Sequence, residues 1–100
     1  MSERRHIYAV DGLSFKRGRE ERHRGAHGVM GSDVFLDGNH VGYTRSRRES
    51  YTGIKRGGTY TYHDFYTLDG EKIESGSTRQ ASCYLALRKL GKIDYDGRIV

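Results

Sequence analysis

Short β-forming stretches separated by Asp-Gly pairs are the dominant pattern along this chain. The pair occurs four times, at positions 11–12, 37–38, 69–70 and 96–97, and apolar or aromatic residues precede and follow each one. Because Asp and Gly tolerate the positive φ angles of a type I′ turn, each pair predicts a two-residue β-hairpin. Antiparallel hairpins are therefore the main predicted architecture.

The longest predicted strand covers positions 59–68, which read TYTYHDFYTL after two glycines. Threonine, tyrosine and phenylalanine suit a pleated, half-buried surface. With the stretches at 34–36, 40–43 and 72–75, this segment predicts an antiparallel sheet of three to four strands. The stretches on either side of Asp11-Gly12 predict a separate, short N-terminal hairpin.

One helix is predicted from Arg79 to Leu90. Ser77 or Thr78 can cap its start, and Gly91 provides a left-handed residue that ends it. At 100° per residue, four apolar side chains form one stripe that is expected to pack on the sheet. They are Cys83, Ala86, Leu87 and Leu90. Tyr84 lies off this stripe and predicts contact with a second surface.

These elements predict one α+β domain over residues 1–100, with the helix packed on one face of the sheet. Its predicted parts are the N-terminal hairpin (1–16), a flexible loop (17–31), a sheet-plus-helix core (32–91) and a C-terminal strand or tail (92–100). The loop is predicted because its sequence, RGREERHRGAHGVMG, has charges of both signs, four glycines and no helical or strand period.

Composition narrows the class of protein. At 100 residues and 11.4 kDa the chain has room for one core. It contains no proline and one cysteine, Cys83, so an intramolecular disulfide is excluded. No apolar run is long enough for a membrane span or a signal segment, and we expect a cytoplasmic protein without membrane association.

The residue types that carry catalysis or bind metal are present but are not grouped into a motif. His23 and His27 stand four positions apart, yet Gly25 and Gly28 argue against the helix that such a zinc pair needs. His63-Asp64 is more typical of a strand surface than of acid–base chemistry. We therefore predict no catalytic residue, no metal site, no cofactor and no enzymatic activity.

The strongest cluster is basic and aromatic. The net charge is +5, and thirteen of the 18 basic residues are arginines, which favour forked contacts to phosphate. Eight arginine, lysine and tyrosine residues fall between positions 43 and 60: Tyr43, Arg45, Arg47, Arg48, Tyr51, Lys55, Arg56 and Tyr60. Tyr43, Arg45 and Arg47 alternate, so an extended chain places all three on one side. Such a hairpin end can neutralise phosphates and stack on bases, or it can simply be a solvated surface.

The predicted layout over residues 33–91, three antiparallel strands followed by one packed helix, is similar to two groups of DNA-binding domains. These are the arm-binding domains of tyrosine recombinases and the plant ethylene-response domains, in which the sheet enters the major groove. The likeness is one of layout and carries no diagnostic motif, so we assign no family. It favours a nucleic-acid partner, DNA rather than RNA.

An acidic stretch supports a second hypothesis. Positions 59–76 contain four acidic residues and one lysine, so opposite charges lie close together in the sequence. Such a surface also suits a protein partner, because complementary patches steer docking and tyrosine and arginine are enriched at interfaces. The alternative function is a regulator or inhibitor of the phage or mobile-element type that binds a host protein.

Overall fold

The computed structural model describes residues 6–51 and 58–100, with Tyr51 described by its backbone only. Five strands are followed by one helix, and two short 3₁₀ turns, Glu21–His23 and Ala26–Gly28, lie between the first two strands. The strands are β1 (Leu13–Arg17), β2 (Ser32–Leu36), β3 (Asn39–Tyr51), β4 (Gly58–Tyr66) and β5 (Lys72–Gly76), and the helix is α1 (Arg79–Lys89).

The five strands form one antiparallel sheet in the order β1-β2-β3-β4-β5. The predicted α+β class is confirmed, whereas the predicted count of three to four strands was too low. At the β2–β3 connection, Asp37 and Gly38 have φ angles of 51° and 80°, the left-handed pair that a type I′ turn requires.

The additional strand in the sheet is β1, which was predicted to belong to a separate N-terminal hairpin. That hairpin is not observed in the described residues, because 6–12 form no strand and β1 pairs with β2 from Leu13↔Leu36 to Arg17↔Ser32. Pairing with β2 places Leu13 and Phe15 against the core, where they are partly buried. Burial of this apolar pair favours β1 in the main sheet over an isolated hairpin, which is marginally stable in water.

The core lies between α1 and one face of the sheet. Thr78 caps the helix by accepting a hydrogen bond from Ala81 N, and Gly91 follows it with φ +74°, as predicted. Leu90, predicted on the buried stripe, is 36% exposed at the end of the helix. The buried core cluster consists of Val34, Leu36, Phe65, Cys83, Tyr84, Ala86, Leu87 and Ile93.

Tyr84 contacts a second surface, as its position off the stripe predicts. Its hydroxyl donates to the carbonyl oxygen of Tyr95 at 2.5 Å, and its ring lies 5.5 Å from that of Tyr8. Through Tyr84, helix α1 therefore contacts both the segment that precedes β1 and the turn that follows the helix. None of the described helices is long and apolar enough to cross a membrane.

The flexible loop was predicted over residues 17–31. Arg17 belongs to β1, and residues 18–31 run along the edge of β3 where β2 has ended. Two glycines permit this close approach. A Cβ at Gly25 would stand 2.6 Å from the carbonyl oxygen of Ser46, and one at Gly31 would collide with that of Thr44. His23 within this segment is buried, at 1% exposure. The segment is thus packed on the sheet by contacts that its sequence pattern does not reveal.

Candidate functional site

The face of the sheet opposite α1 carries alternating aromatic and charged side chains from β3 and β4. The cross-strand partners are Tyr43↔Tyr66, Arg45↔Asp64 and Arg47↔Tyr62. Residues directly opposite one another in an antiparallel pair share a face. Tyr43, Arg45 and Arg47 therefore point to the same side, as their alternation predicts. We call this surface the helix-free face.

Aromatic and guanidinium planes are stacked in a row on the helix-free face. The rings of Tyr43 and Tyr66 lie parallel with centroids 5.1 Å apart. The Arg22 guanidinium lies 5.4 Å from the Tyr43 ring, and that of Arg45 lies 4.8 Å from the Tyr66 ring. Arg45 also donates to the Tyr66 hydroxyl at 2.9 Å. Cation–π contact and hydrogen bond together fix the direction of the Arg45 guanidinium.

Arg47 occupies the centre of an ion-pair network. It lies 4.8 Å over the Tyr62 ring, donates through Nε to Asp64 Oδ2 at 3.0 Å, and pairs with Glu49 through Nη1. Asp64 is only 2% exposed, and it also accepts from Ser75 Oγ at 2.5 Å. Burial alone would raise the Asp64 pKa, but the hydrogen bonds from Ser75 and Arg47 outweigh burial and lower that pKa. The bond to Asp64 in turn raises the pKa of Arg47.

Strands β3 and β4 extend past both of their neighbours. Strand β2 pairs with β3 only as far as Thr44, and β5 pairs with β4 only from His63 onward. Residues 47–51 and 58–62 therefore form a two-stranded ribbon without flanking strands, roughly 17 Å long at about 3.4 Å per residue. We call this the β3–β4 ribbon. It carries two arginines and one glutamate, and its Tyr60 is 53% exposed.

Arg48 projects from the other face of the ribbon and is positioned by the second 3₁₀ turn. Its Nη1 donates to His27 Nε2 at 2.9 Å. His27 has φ +55°, a left-handed conformation that is uncommon for residues other than glycine. The turn thus adopts an uncommon backbone conformation at the residue that contacts Arg48.

A pair formed by the buried His23 and the half-buried Asp33 supports the row of stacked side chains. The backbone N–H of Glu20 donates to His23 Nδ1, so Nε2 carries the ring proton and donates to Asp33 Oδ1 at 2.7 Å. His23 packs edge-on against Tyr43 with ring centroids 5.8 Å apart. Burial would raise the Asp33 pKa, but the His23 hydrogen bond and nearby positive charge lower it overall. This pair joins the 18–31 segment to β2.

The predicted site residues have different environments. Arg45 and Arg47 lie on the helix-free face, Arg48 and Tyr60 belong to the ribbon, and Tyr43 is largely buried at 8% exposure. Tyr51 ends β3 opposite Gly58, but its side chain is outside the described residues, as are Lys55 and Arg56 altogether.

Several residues of this surface are absent from the predicted set. The alternation TYTYHDFY contains the signal for Tyr62 and Tyr66, which share a face with Tyr60 and differ from it only in position along β4. Arg22, Arg24 and His27 carry no comparable signal, because the 18–31 segment has no strand or helix period.

The histidines and the cysteine considered for catalysis or metal binding lie in environments that the fold explains. His23 and His27 contact Asp33 and Arg48 respectively, and among the described residues no three histidine, cysteine or acidic side chains are grouped to hold a metal ion. Burial, and then Arg79, lower the pKa of His63. Burial raises the pKa of the Cys83 thiol to about 12, so it is protonated at neutral pH.

No protein-family model matches this sequence, and comparisons with curated proteins and with solved structures found no match.

Proposed function

We propose that this chain binds nucleic acid without catalysing a reaction, and that duplex DNA is preferred over RNA. The observation that carries the proposal is the β3–β4 ribbon, which extends beyond its neighbouring strands and bears arginine and tyrosine. The DNA major groove is about 12 Å wide and accepts a two-stranded ribbon, whereas the deep, narrow major groove of an RNA helix does not.

The ribbon offers both kinds of contact that nucleic-acid recognition uses. Arg48 and Arg47 lie on its two faces, so one can contact a phosphate while the other faces the groove floor. Tyr60 and Tyr62 present ring surface on its helix-free face, with centroids 6.4 Å apart. The chain segment that joins the two strands adds Lys55 and Arg56 by sequence.

A specific observation favours the alternative function, a regulator or inhibitor that binds a host protein. Arg47 is already neutralised by Asp64 and Glu49, so the helix-free face is a mixed-charge surface. Phosphate would be repelled by the exposed Glu49 carboxylate, whereas a protein with a complementary charge pattern would not. Tyrosine and arginine are also the residues that dominate binding energy at protein interfaces.

Fluorescence anisotropy with a labelled 20-base-pair duplex at several salt concentrations tests the proposal. Each phosphate contact should contribute about −0.9 to the log–log slope of affinity against salt. Arg48→Ala should weaken binding and reduce the size of the slope by about 1. The matched control is Arg98→Ala, which removes the same charge from an exposed position in the C-terminal turn. It should leave the affinity and the salt slope unchanged.

Tyr60→Ala tests for stacking. It should weaken binding with little change in the salt slope, because a ring contact releases no counterion. Tyr95→Ala, which removes a 77% exposed ring far along the chain, is its control. If the parent protein shows no DNA binding at low salt, or Arg48→Ala and Arg98→Ala behave alike, the ribbon is not the nucleic-acid contact. Nuclease-resistant capture of one host protein, lost in Arg48→Ala, would instead support the alternative.

A further inference from the structure

A cavity of about 270 Å³ lies along the open edge of β3, at the base of the ribbon. One wall comes from residues 24–26 between the two 3₁₀ turns, and the other comes from β3 with Asp64 and Tyr66 of β4. Four arginines line it, one from the first wall and three from β3: Arg24, Arg45, Arg47 and Arg48. Arg45 and Arg47 border it from the helix-free face and Arg48 from the other face, so the cavity lies at the edge of β3 and not on one face of the sheet. We call it the edge cavity.

Positive charge is in excess in the edge cavity. Asp64 is its one lining carboxylate within the described part of the chain, and it is hydrogen-bonded to Arg47. Arg24 pairs with Glu21 at 3.4 Å, but both side chains are mostly exposed, so that pair is weak. Arg45 and Arg48 have partners that are not carboxylates, the Tyr66 ring and hydroxyl and the His27 imidazole. An anion that enters the cavity therefore meets guanidinium groups that are not neutralised.

The arginines that lack a carboxylate partner are nevertheless held in place. Tyr66 fixes Arg45 through its ring and its hydroxyl, and His27 fixes Arg48 from a left-handed backbone position. A guanidinium that is already positioned loses less conformational freedom on binding than a free one.

We propose that the edge cavity is a binding site for a phosphoryl group, held by Arg24, Arg45 and Arg48. Planar guanidinium groups match the oxygens of phosphate two at a time, and the excess positive charge favours an anion over a cation. The identification of this phosphoryl group as a backbone phosphate of bound DNA rests on the proposed function. The same chemistry would accept a free phosphate or polyphosphate.

Pyrophosphate is the probe that tests the site without DNA. Titrated at constant ionic strength, it should give saturable shifts of the Gly25, Ala26 and Ser46 amides in ¹H–¹⁵N NMR spectra. Arg24→Gln and Arg48→Gln should each weaken pyrophosphate binding by about tenfold, the loss expected for one charge-assisted hydrogen bond. Arg98→Gln is the matched control and should leave the affinity unchanged. Absence of saturable shifts at these amides, or equal effects of Arg24→Gln and Arg98→Gln, would overturn the proposal.

Duplex DNA in a second titration separates this proposal from the proposed function. If DNA binds, Arg24→Gln alters neither its affinity nor its salt slope, and pyrophosphate gives no saturable shifts at the cavity, the phosphoryl site is refuted while the proposed role of the ribbon stands. If pyrophosphate binds in the cavity but DNA does not bind at all, the phosphoryl site stands and its ligand is a free phosphate compound. Loss of pyrophosphate and DNA binding together in Arg24→Gln supports a DNA phosphate as the occupant.

Discussion

Arg47 and Asp64 are joined across β3 and β4 by a hydrogen bond of 3.0 Å between Nε and Oδ2. The carboxylate is 2% exposed and the arginine is 33% exposed, so this pair connects the buried part of the sheet to its surface. The sequence pattern predicts that Arg47 is exposed and contacts phosphate. Its position opposite a buried carboxylate gives it a structural role as well.

Arg47→Ala should therefore destabilise the fold, in contrast to removal of the other ribbon arginine. It leaves Asp64 buried with Ser75 as its remaining side-chain partner, and we expect a loss of about 2 kcal/mol in the free energy of unfolding. Arg48→Ala, at an exposed position, should change it by less than about 0.5 kcal/mol. Urea unfolding measures both. Equal stability of the two variants would show that the Arg47–Asp64 pair does not support the sheet.

Stability should fall on acidification as the buried Asp64 carboxylate becomes protonated. The Asp64 pKa is lowered in the folded chain from its ordinary value of 3.8. A carboxylate of this kind stabilises the fold fully above the unfolded pKa, and the contribution is lost as pH falls through the folded pKa. Urea unfolding between pH 7 and pH 2.5 should show this loss below about pH 4. In Asp64→Asn, the free energy of unfolding should fall less steeply on acidification than in the parent. An equally steep fall in both proteins would show that Asp64 is not the group responsible.

His63 should titrate below the ordinary histidine value of 6.5, because burial and then Arg79 disfavour its protonated form. The unfolded chain then binds this proton more readily, so the His63 contribution to stability is complete above pH 6.5 and is lost as pH falls. An NMR titration of the imidazole measures the pKa directly. Arg79→Gln should raise it, whereas Arg98→Gln should not. A His63 pKa above 6.5 in the parent would contradict the arrangement of β4 and α1.

Two leucines on the predicted helix stripe provide a matched test of core packing. Leu87 is fully buried and Leu90 is 36% exposed. Leu87→Ala should cost about 2–5 kcal/mol in the free energy of unfolding through lost burial and a residual cavity. Leu90→Ala should cost about 1 kcal/mol or less. Thermal or urea unfolding that ranks the two equally would place α1 on the sheet through a different face.

The elements predicted correctly from sequence are those whose signals are local. The Thr78 cap and Gly91 stop lie beside α1, and Asp37-Gly38 supplies the left-handed turn between β2 and β3. The alternation of Tyr43, Arg45 and Arg47 likewise depends only on strand geometry. For these features the sequence neighbours of each residue determine its conformation.

The features that sequence did not predict depend on partners distant in the chain. Strand β1 joins the sheet because Phe15 pairs with Val34, nineteen positions away. The Asp11-Gly12 pair predicts a local turn and gives no information about that contact. The imidazole of His23 is buried, and Asp33, ten positions away, accepts its hydrogen bond. The place of Arg24 at the edge cavity follows from the same folding of residues 18–31 onto β3. Segments without periodicity give no indication of such long-range contacts.

The surface that duplex DNA contacts can be mapped residue by residue, which tests whether the β3–β4 ribbon binds nucleic acid. The measurement is a ¹H–¹⁵N NMR titration of the whole chain with an unlabelled 20-base-pair duplex at low salt. The account predicts the largest shifts at the amides of residues 45–50 and 58–62, with smaller shifts at 24–28 and none along α1. Shifts concentrated on α1 or on residues 92–100, or no shifts at any DNA concentration, would contradict it.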